Sequence, residues 1–379
     1  MILKKITILN YKNIADATIE PAPGVNCLIG NNGQGKTNVL DAVYCLSMCR
    51  SFTTGGGDSA LIKHGEEYMM LQGKYLRRDL DEDITLSLKR GGRKVVKRQG
   101  KEYRRLSKHI GLLPIVMISP MDWDLIRGAG DERRRLMDTI ISQGDTRYLD
   151  ALIRYNKALE QRNSMIRHEY TDALLYTAVE QQMTEAAALI YERRSRWIED
   201  FTPIFMTYYR AIAGSGESVS LSYRSHLNEA PSLQAALDAT RQRDLVIGYT
   251  TRGIHRDDIE LLLDGYSMRR TGSQGQCKTY TIALRLAQFE FLKRINPTTP
   301  ILLLDDIFDK LDATRVESII RLVTTTPSFG QIFITDTNRT HIDNILANTA
   351  VGQHALWHVE NGAVTRIDNS NTGHDDETT

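Results

Sequence analysis

The sequence predicts an α/β fold in which a buried sheet carries a phosphate site and is interrupted by a long helical insertion. Three observations support this. A short apolar strand, "NCLIG", runs into the glycine-rich loop "GNNGQGKTN", Gly30 to Asn38, and then into a segment where Val39, Leu40, Val43 and Leu46 recur at helical spacing. Far downstream, "ILLLDD" is a short, almost wholly apolar run of the kind buried in parallel sheets, and it ends in Asp305 and Asp306. Lys36 and Asp305 lie 269 positions apart, so a large insertion separates two halves of one site.

Along the chain, "LKKITILNYKNI" has the period-2 alternation of a strand. "EYMMLQGKYL" and "EDITLSLKRGGRKVVKR" are strand-like, with Gly91-Gly92 as a hairpin turn, and "LPIVMIS" closes this β-rich region in a buried strand. From about Tyr148 to Met206 the pattern is helical, with one stripe through Leu149, Leu152, Leu159 and Ile166 and another through Leu175, Val179, Met183, Ala186, Ile190 and Trp197. Pro203 is expected to break the second stretch and start a new helix. Helices of roughly 20 to 27 residues would span about 30 to 40 Å, enough for a compact lobe and too short for a coiled-coil arm. "SGESVS" and "NEAPSL" read as loops, while "DLVIGYT", "DDIELLLDG" and "QIFIT" read as strands. The tail "DNSNTGHDDETT" is polar and expected to be mobile. The expected domains are a first lobe from 1–118 and 295–367 carrying both halves of the phosphate site, a helical second lobe from 119–294, and a flexible tail from 368–379.

With 379 residues, 41% hydrophobic and 25% charged, the chain can bury sizeable cores. A formal net charge of +1 gives no whole-molecule field for nucleic acid or an anionic membrane, so such contacts would need a local patch. Cys27, Cys45, Cys49 and Cys277 lack metal or disulfide spacing, and no run approaches the roughly 20 apolar residues of a spanning helix. A cytoplasmic protein with no membrane partner is expected.

"GNNGQGKT" fits G-x-x-x-x-G-K-[ST] from Gly30 to Thr37. In that pattern backbone N–H groups close around phosphate oxygens, Lys36 bridges the outer phosphates, Thr37 ligates Mg²⁺ and the helix N-terminus adds its dipole. Asp305 is then expected to hold the Mg²⁺ shell and Asp306 to polarise an attacking water. "SQGQ", Ser273 to Gln276, precedes an amphipathic helix about 30 residues before "ILLLDD" and reads as a second anion site.

The order of phosphate loop, S-x-G-Q signature, Asp-rich strand and "FDKLD" resembles P-loop NTPases of the ABC and SMC/Rad50 head type. Within that group "GNNGQGKTNVLDAVYCLS", "ISPMDWDLIRGAGDERRRLMD", "GIHRDD" and "GSQGQCK" resemble the RecF family of bacterial recombination and gap repair. The resemblance implies that two subunits sandwich ATP head to tail. The ATP site would comprise Gly30, Asn31, Asn32, Gly33, Gln34, Gly35, Lys36, Thr37 and Asn38, with Lys12 and Asn13 of "NYKN" beside it. Ser273, Gly275 and Gln276 of one subunit would complete the γ-phosphate site of the other, and Asp309 and Asp312 would sense the partner. It also implies weak DNA-stimulated hydrolysis, binding to single-stranded DNA and junctions, and loading of RecA with RecO and RecR.

The chain departs from ABC ATPases in three places. Ser119, Pro120 and Asp122 stand where a Gln usually follows the strand. Asp306 replaces a Glu. The switch His expected after the last strand is missing from "ITDTNRT", which leaves Thr335 or Thr337 to touch the γ-phosphate. "GAGDERRR" also lacks a proline that the family resemblance implies before the arginines.

"KRGGRKVVKRQGKEYRRLSK", Lys89 to Lys108, holds ten Lys/Arg against one acid, Glu102. It reads as a strip for DNA phosphates through Arg93, Lys94, Lys97, Arg98, Arg104 and Arg105, with Tyr103 to stack on a base, or as a solvated hairpin paired with "RRDLDED". "ERRR", Glu132 to Arg135, suits DNA or the lobe's own structure; for His255, Arg256 and Asp257 a DNA role is implied by the resemblance alone, beside a structural salt-bridge role. The rival reading of the whole chain is a small-molecule phosphotransferase with the helical region as a lid.

Overall fold

The computed structural model describes residues 1–53, 57–214, 216–308, 311–325, 329–347, 349 and 353–367. The chain forms two compact units, Met1–Pro120 with Pro297–Thr379, and Met121–Asn296. The tail expected to be flexible, 368–379, lies outside the described residues.

The first unit begins with β1 (Ile2–Tyr11) and β2 (Ile14–Ile19), an antiparallel pair in which Ile6 faces Ile19. β3 (Val25–Ile29) leads through the glycine-rich loop into α1 (Lys36–Met48). β4 (Tyr68–Arg77), β5 (Leu80–Lys89), β6 (Val95–Arg98) and β7 (Lys101–Glu102) complete an antiparallel sheet ordered β2-β1-β4-β5-β6-β7, and β8 (Ile115–Ile118) enters a second sheet. Eleven of the thirteen α1 residues are buried, because the helix joins one core with side chains of both sheets, including Ile8, Leu71, Leu28 and Phe333. A helix enclosed on all sides has no polar face to mark it, so its sequence shows less than a full amphipathic stripe.

The second unit opens with α2 (Asp124–Arg127), α3 (Gly130–Gly144), α4 (Thr146–Arg167) and α5 (Ala173–Ala213). α5 has 41 residues and runs unbroken through Pro203, contrary to the expected break. Pro203 is exposed, so water can satisfy the carbonyl that loses its partner. Thr202 and Thr207 donate to the Ile198 and Pro203 carbonyls (2.6 and 3.0 Å), and buried Phe201, Ile204 and Phe205 hold both flanks on one core. β9 (Val219–Arg224) begins inside the stretch read as the loop "SGESVS". α6 (Leu233–Ile247) follows and ends at Gly248 in the left-handed conformation, so "DLVI" is a last helical turn rather than a strand. Asp244 decides this: fully buried, it accepts from Arg162 (2.8 Å) and from Thr251 (3.0 Å). β10 (Asp258–Leu263) and β11 (Tyr266–Ser267) complete a sheet ordered β11-β10-β9, and α7 (Met268–Thr271) leads to α8 (Gln274–Ile295). α8 packs on α5 through Tyr280 and Phe205, whose rings lie 4.7 Å apart.

The chain returns to the first unit with β12 (Ile301–Asp305), α9 (Ala313–Thr325), β13 (Ile332–Asp336), α10 (Arg339–Ala347), β14 (His354–Glu360) and β15 (Ala363–Ile367). The second sheet is ordered β15-β14-β3-β13-β12-β8, parallel except for β15. β3 and β12 are therefore separated only by β13, and the phosphate loop and the two aspartates emerge at the same carboxyl edge, where open sheets bind ligands. All four cysteines are buried and unpaired. Among the described residues no helix is long and apolar enough to cross a membrane.

Candidate functional site

The loop Gly30–Thr37 is shaped by backbone conformations that side chains resist. Gly35 has φ 115°, and a Cβ there would stand 2.8 Å from Asn13 Oδ1. As N-cap of α1, Gly35 has no side chain to cap the helix, which leaves the first-turn amides and the dipole to an anion. Lys36 is buried and donates to the Gly30 and Asn31 carbonyls (2.6 and 3.0 Å), so its ammonium lies over the loop. Burial lowers its pKa, while Asp306, Asp305 and Asp336 act in the opposite direction.

Thr37 donates to Asp305 Oδ1 at 2.9 Å, joining the loop to the end of β12. Thr335 donates to the same oxygen at 2.7 Å. Burial raises the Asp305 pKa, against the lowering effect of those two hydroxyls. Asp306, at φ 47°, donates its N–H to the Thr335 hydroxyl (3.0 Å). Thr335 is thus fully buried behind the two aspartates, which removes it as a γ-phosphate contact, whereas Thr337 is exposed. The hydroxyl and carboxylate oxygens of Thr37 and Asp305 suit a hard divalent cation such as Mg²⁺. Among the described residues no His/Cys/Asp/Glu cluster could hold a metal alone, so water and phosphate oxygens would complete the shell.

Asn13 buttresses this loop: its side chain donates to the Gln34 carbonyl (3.1 Å) and accepts from Asn38 (2.8 Å). Lys12 instead pairs with buried Asp41 on α1 (2.5 Å), which also accepts from Tyr11, Ser51 and the Phe52 amide. The sequence reading missed Asp41; a carboxylate at an enclosed helix position was its signal. It also passed over His341, which meets Asp336 at 2.9 Å and packs on Phe308, five residues beyond the β13 end. Asn31 and Asn32 are exposed at the mouth of the loop.

The signature is helix rather than loop. Ser273 is the N-cap of α8, where its oxygen accepts from the Gln276 amide (3.2 Å) and the Gln276 side chain accepts from the Ser273 amide (2.8 Å), a capping box. Gln276 also donates to Glu217 (2.8 Å), so its side chain is committed within this unit. Among the described residues the Ser273 hydroxyl hydrogen and the amides of Gln274 and Gly275 have no acceptor, and they remain to meet an anion. Asp312 accepts from the Arg315 amide (3.0 Å) at the start of α9; Asp309 lies outside the described residues. Asp122 is buried and paired with Arg285 (2.5 Å), and so serves the second unit's core. Ser119 is likewise buried.

The basic strip is partly neutralised. Arg93 meets Glu102 (2.9 Å), Lys94 meets Asp58 (2.6 Å) and Arg98 grips Glu82 at two points (2.8 and 2.5 Å). Lys97, Arg104 and Arg105 are exposed, and none meets an acceptor among the described residues. Tyr103 stands edge-on to His109 at 5.3 Å. In "ERRR", Arg133 holds Asp258 at two points (2.6 and 2.8 Å) and Arg134 the Asp257 carbonyl (2.6 Å), so these two serve the fold.

His255 is also structural. Its Nε2 meets the Thr250 carbonyl (3.1 Å), which places a proton on Nε2, and its Nδ1 meets the Tyr155 hydroxyl (2.8 Å); burial takes its pKa down to about 4, so the ring is neutral near pH 7. The unfolded chain takes up a proton near pH 6.5 and the folded one does not, so stability falls as pH drops from 6.5 toward 4, by about 3 kcal/mol for this residue. Urea unfolding at pH 7.5 and 5 should show this dependence reduced in His255→Gln. An unchanged slope would exclude the histidine as its source.

The family profile of the RecF/RecN/SMC N terminal domain matches residues 2–356. The chain is 53% identical to the DNA replication and repair protein RecF of Parabacteroides distasonis over 96% of this chain and 99% of the relative. It is 50% identical to the protein of that name from Porphyromonas gingivalis over 96% and 100%. A solved structure described as the recombination mediator protein RecF-ATP in RecFOR pathway superposes with TM-score 0.86 at 29% identity, covering 97% of this chain and 98% of that one. The Smc head domain of Pyrococcus furiosus shares the fold, with TM-score 0.57 at 17% identity over 97% and 96%.

Proposed function

The chain belongs to the RecF family of DNA replication and repair proteins, and on that premise we propose that it is an ATP-gated DNA clamp of recombinational gap repair, replication-fork maintenance and SOS induction. The observation that carries the reading is the 2.9 Å hydrogen bond from Thr37 to Asp305, which brings residues 268 positions apart to one sheet edge. Lys36 and the loop amides bind the β- and γ-phosphates, and Asn13 holds the loop in place. Bound Mg²⁺ would neutralise phosphate charge between Thr37 and Asp305. Asp306 orients the attacking water; its short side chain makes turnover slow, so binding acts as the switch more than hydrolysis. In a head-to-tail homodimer Ser273 and the first amides of α8 would meet the partner's γ-phosphate, with Asp309 and Asp312 sensing closure. The closed dimer holds single-stranded DNA and junctions, Lys97, Arg104 and Arg105 being its exposed cations, and DNA-stimulated hydrolysis reopens it. RecO, RecR and RecA are the expected partners in the cytoplasm. Family membership sets aside the phosphotransferase reading.

Sedimentation with ATP and Mg²⁺, with and without gapped DNA, tests this. Wild type should become a dimer that retains DNA, while Ser273→Arg binds ATP and stays monomeric. Because Ser273 caps α8, a loss of about 1 kcal/mol is expected in the variant, and its thermal unfolding is measured alongside. A wild-type monomer whose DNA binding ignores ATP would end the clamp reading.

A further inference from the structure

We propose that the turn Asn361–Gly362, between β14 and β15, is a working part of the ATP site, and that Gln34 positions the phosphate loop through it instead of touching phosphate with its side chain. The inference rests on reading Gly30–Thr37 as an ATP loop. The Gln34 side-chain oxygen accepts from the Asn361 amide (2.6 Å), and its backbone carbonyl accepts from the Gly362 amide (2.9 Å) and from Asn13 (3.1 Å). Both turn residues have positive φ, 48° and 81°, which aims two successive amides at one residue of the loop.

The approach leaves no room for side chains. A Cβ on Gly362 would stand 2.6 Å from the Asn13 carbonyl, and one on Gly30 2.2 Å from the Val359 carbonyl in β14. The loop is therefore clamped between the β1–β2 turn and the hairpin, with Asn13 passing the constraint to α1 through Asn38 (2.8 Å). Turning the Gln34 peptide would break two hydrogen bonds together, and the side chain holds the same residue by a third. A loop held in this way loses less conformational freedom when it closes around phosphate, so the brace should act on ATP affinity more than on folding. Asn-Gly between "HALWHVE" and "AVTRI" is the hairpin signal by which the sequence could have revealed the turn.

Calorimetric titration of the full chain with ATP and Mg²⁺ tests the brace. Gln34→Met, similar in shape but without the acceptor, should weaken ATP about tenfold, because the unbraced loop must give up on binding the freedom that the brace had already removed. Its melting temperature without nucleotide should stay close to wild type. Asn361→Gly, which keeps the turn and its amide, should retain wild-type affinity. Gly362→Ala should repeat the Gln34→Met loss, and the two together should not add. Independently of any variant, ATP should slow hydrogen exchange at the Asn361 and Gly362 amides. Wild-type affinity in Gln34→Met, or turn amides indifferent to ATP, would overturn the brace while leaving the ATP site standing. Failure of wild type to bind ATP would sink the site and the brace together.

Discussion

Lys36→Met is expected to lose at least about 100-fold in ATP affinity, the scale of removing a buried charge from a charge-assisted contact, about 3 kcal/mol. The chain should still fold. Burial already works against the charged ammonium, and among the described residues its hydrogen bonds go to two carbonyls of its own loop. Methionine keeps the stem and removes the charge, leaving Asp305, Asp306 and Asp336 facing the site without their cation. Nucleotide-driven dimerisation and DNA retention should disappear with the affinity. Calorimetric titration decides it: ATP binding at wild-type strength would mean that the loop amides and the cation suffice, and that Lys36 has another task.

Arg194→Ala should cost about 3 to 5 kcal/mol of stability, because it strands buried carboxylates rather than deleting a surface contact. Arg194 is 1% exposed and meets Asp257 (2.7 Å), Asp138 (2.8 Å), the Ile254 carbonyl (2.8 Å) and the Tyr148 hydroxyl (3.0 Å). Asp257 is fully buried, and burial already raises its pKa, with Arg194 the strongest opposing influence. Without the guanidinium that pKa rises further, so acid relieves the stranded charge and the deficit should be smaller at pH 5 than at pH 8. Urea unfolding of wild type and variant at both pH values measures it. A loss below about 1 kcal/mol would place Arg194 among ordinary surface pairs. The same network explains why Asp257 and Asp258 of "HRDD" serve the fold with Arg133 of "ERRR": Asp257 meets Arg194 and Asp258 meets Arg133 inside the second unit, while Arg256 is exposed over the Tyr249 ring.

What was legible in the sequence was local. The strand, glycine-rich loop and helix around Lys36 carry their own signature, because phosphate binding requires backbone freedom and a cation at fixed spacing. "ILLLDD" and "QIFIT" announce buried parallel strands because a strand covered on both faces loses its alternation. Those segments, with "SQGQ", were enough to place the chain among ATPase heads. The errors fell where a distant partner overrules local preference. "DLVI" is β-like in composition yet helical, since Asp244 must meet Arg162. Pro203 stays inside α5, because aromatic packing on both sides outweighs one missing hydrogen bond on the exposed face. The loop "SQGQ" became a capped helix start, as its own serine and glutamine satisfy each other's amides.

The sequence by itself determined that a phosphate loop and an acidic strand exist, because both are written in consecutive residues. Only the tertiary structure decided that β13 lies between β3 and β12, that Thr335 stands behind Asp305, which arginines are consumed by internal carboxylates, and that Gln34 reaches a turn 327 positions away. The physical reason is common to all four. Hydrogen-bond and ion-pair partners are chosen by proximity after the chain has packed, and residue order alone does not encode which of many chemically equivalent carboxylates, hydroxyls or amides will be near.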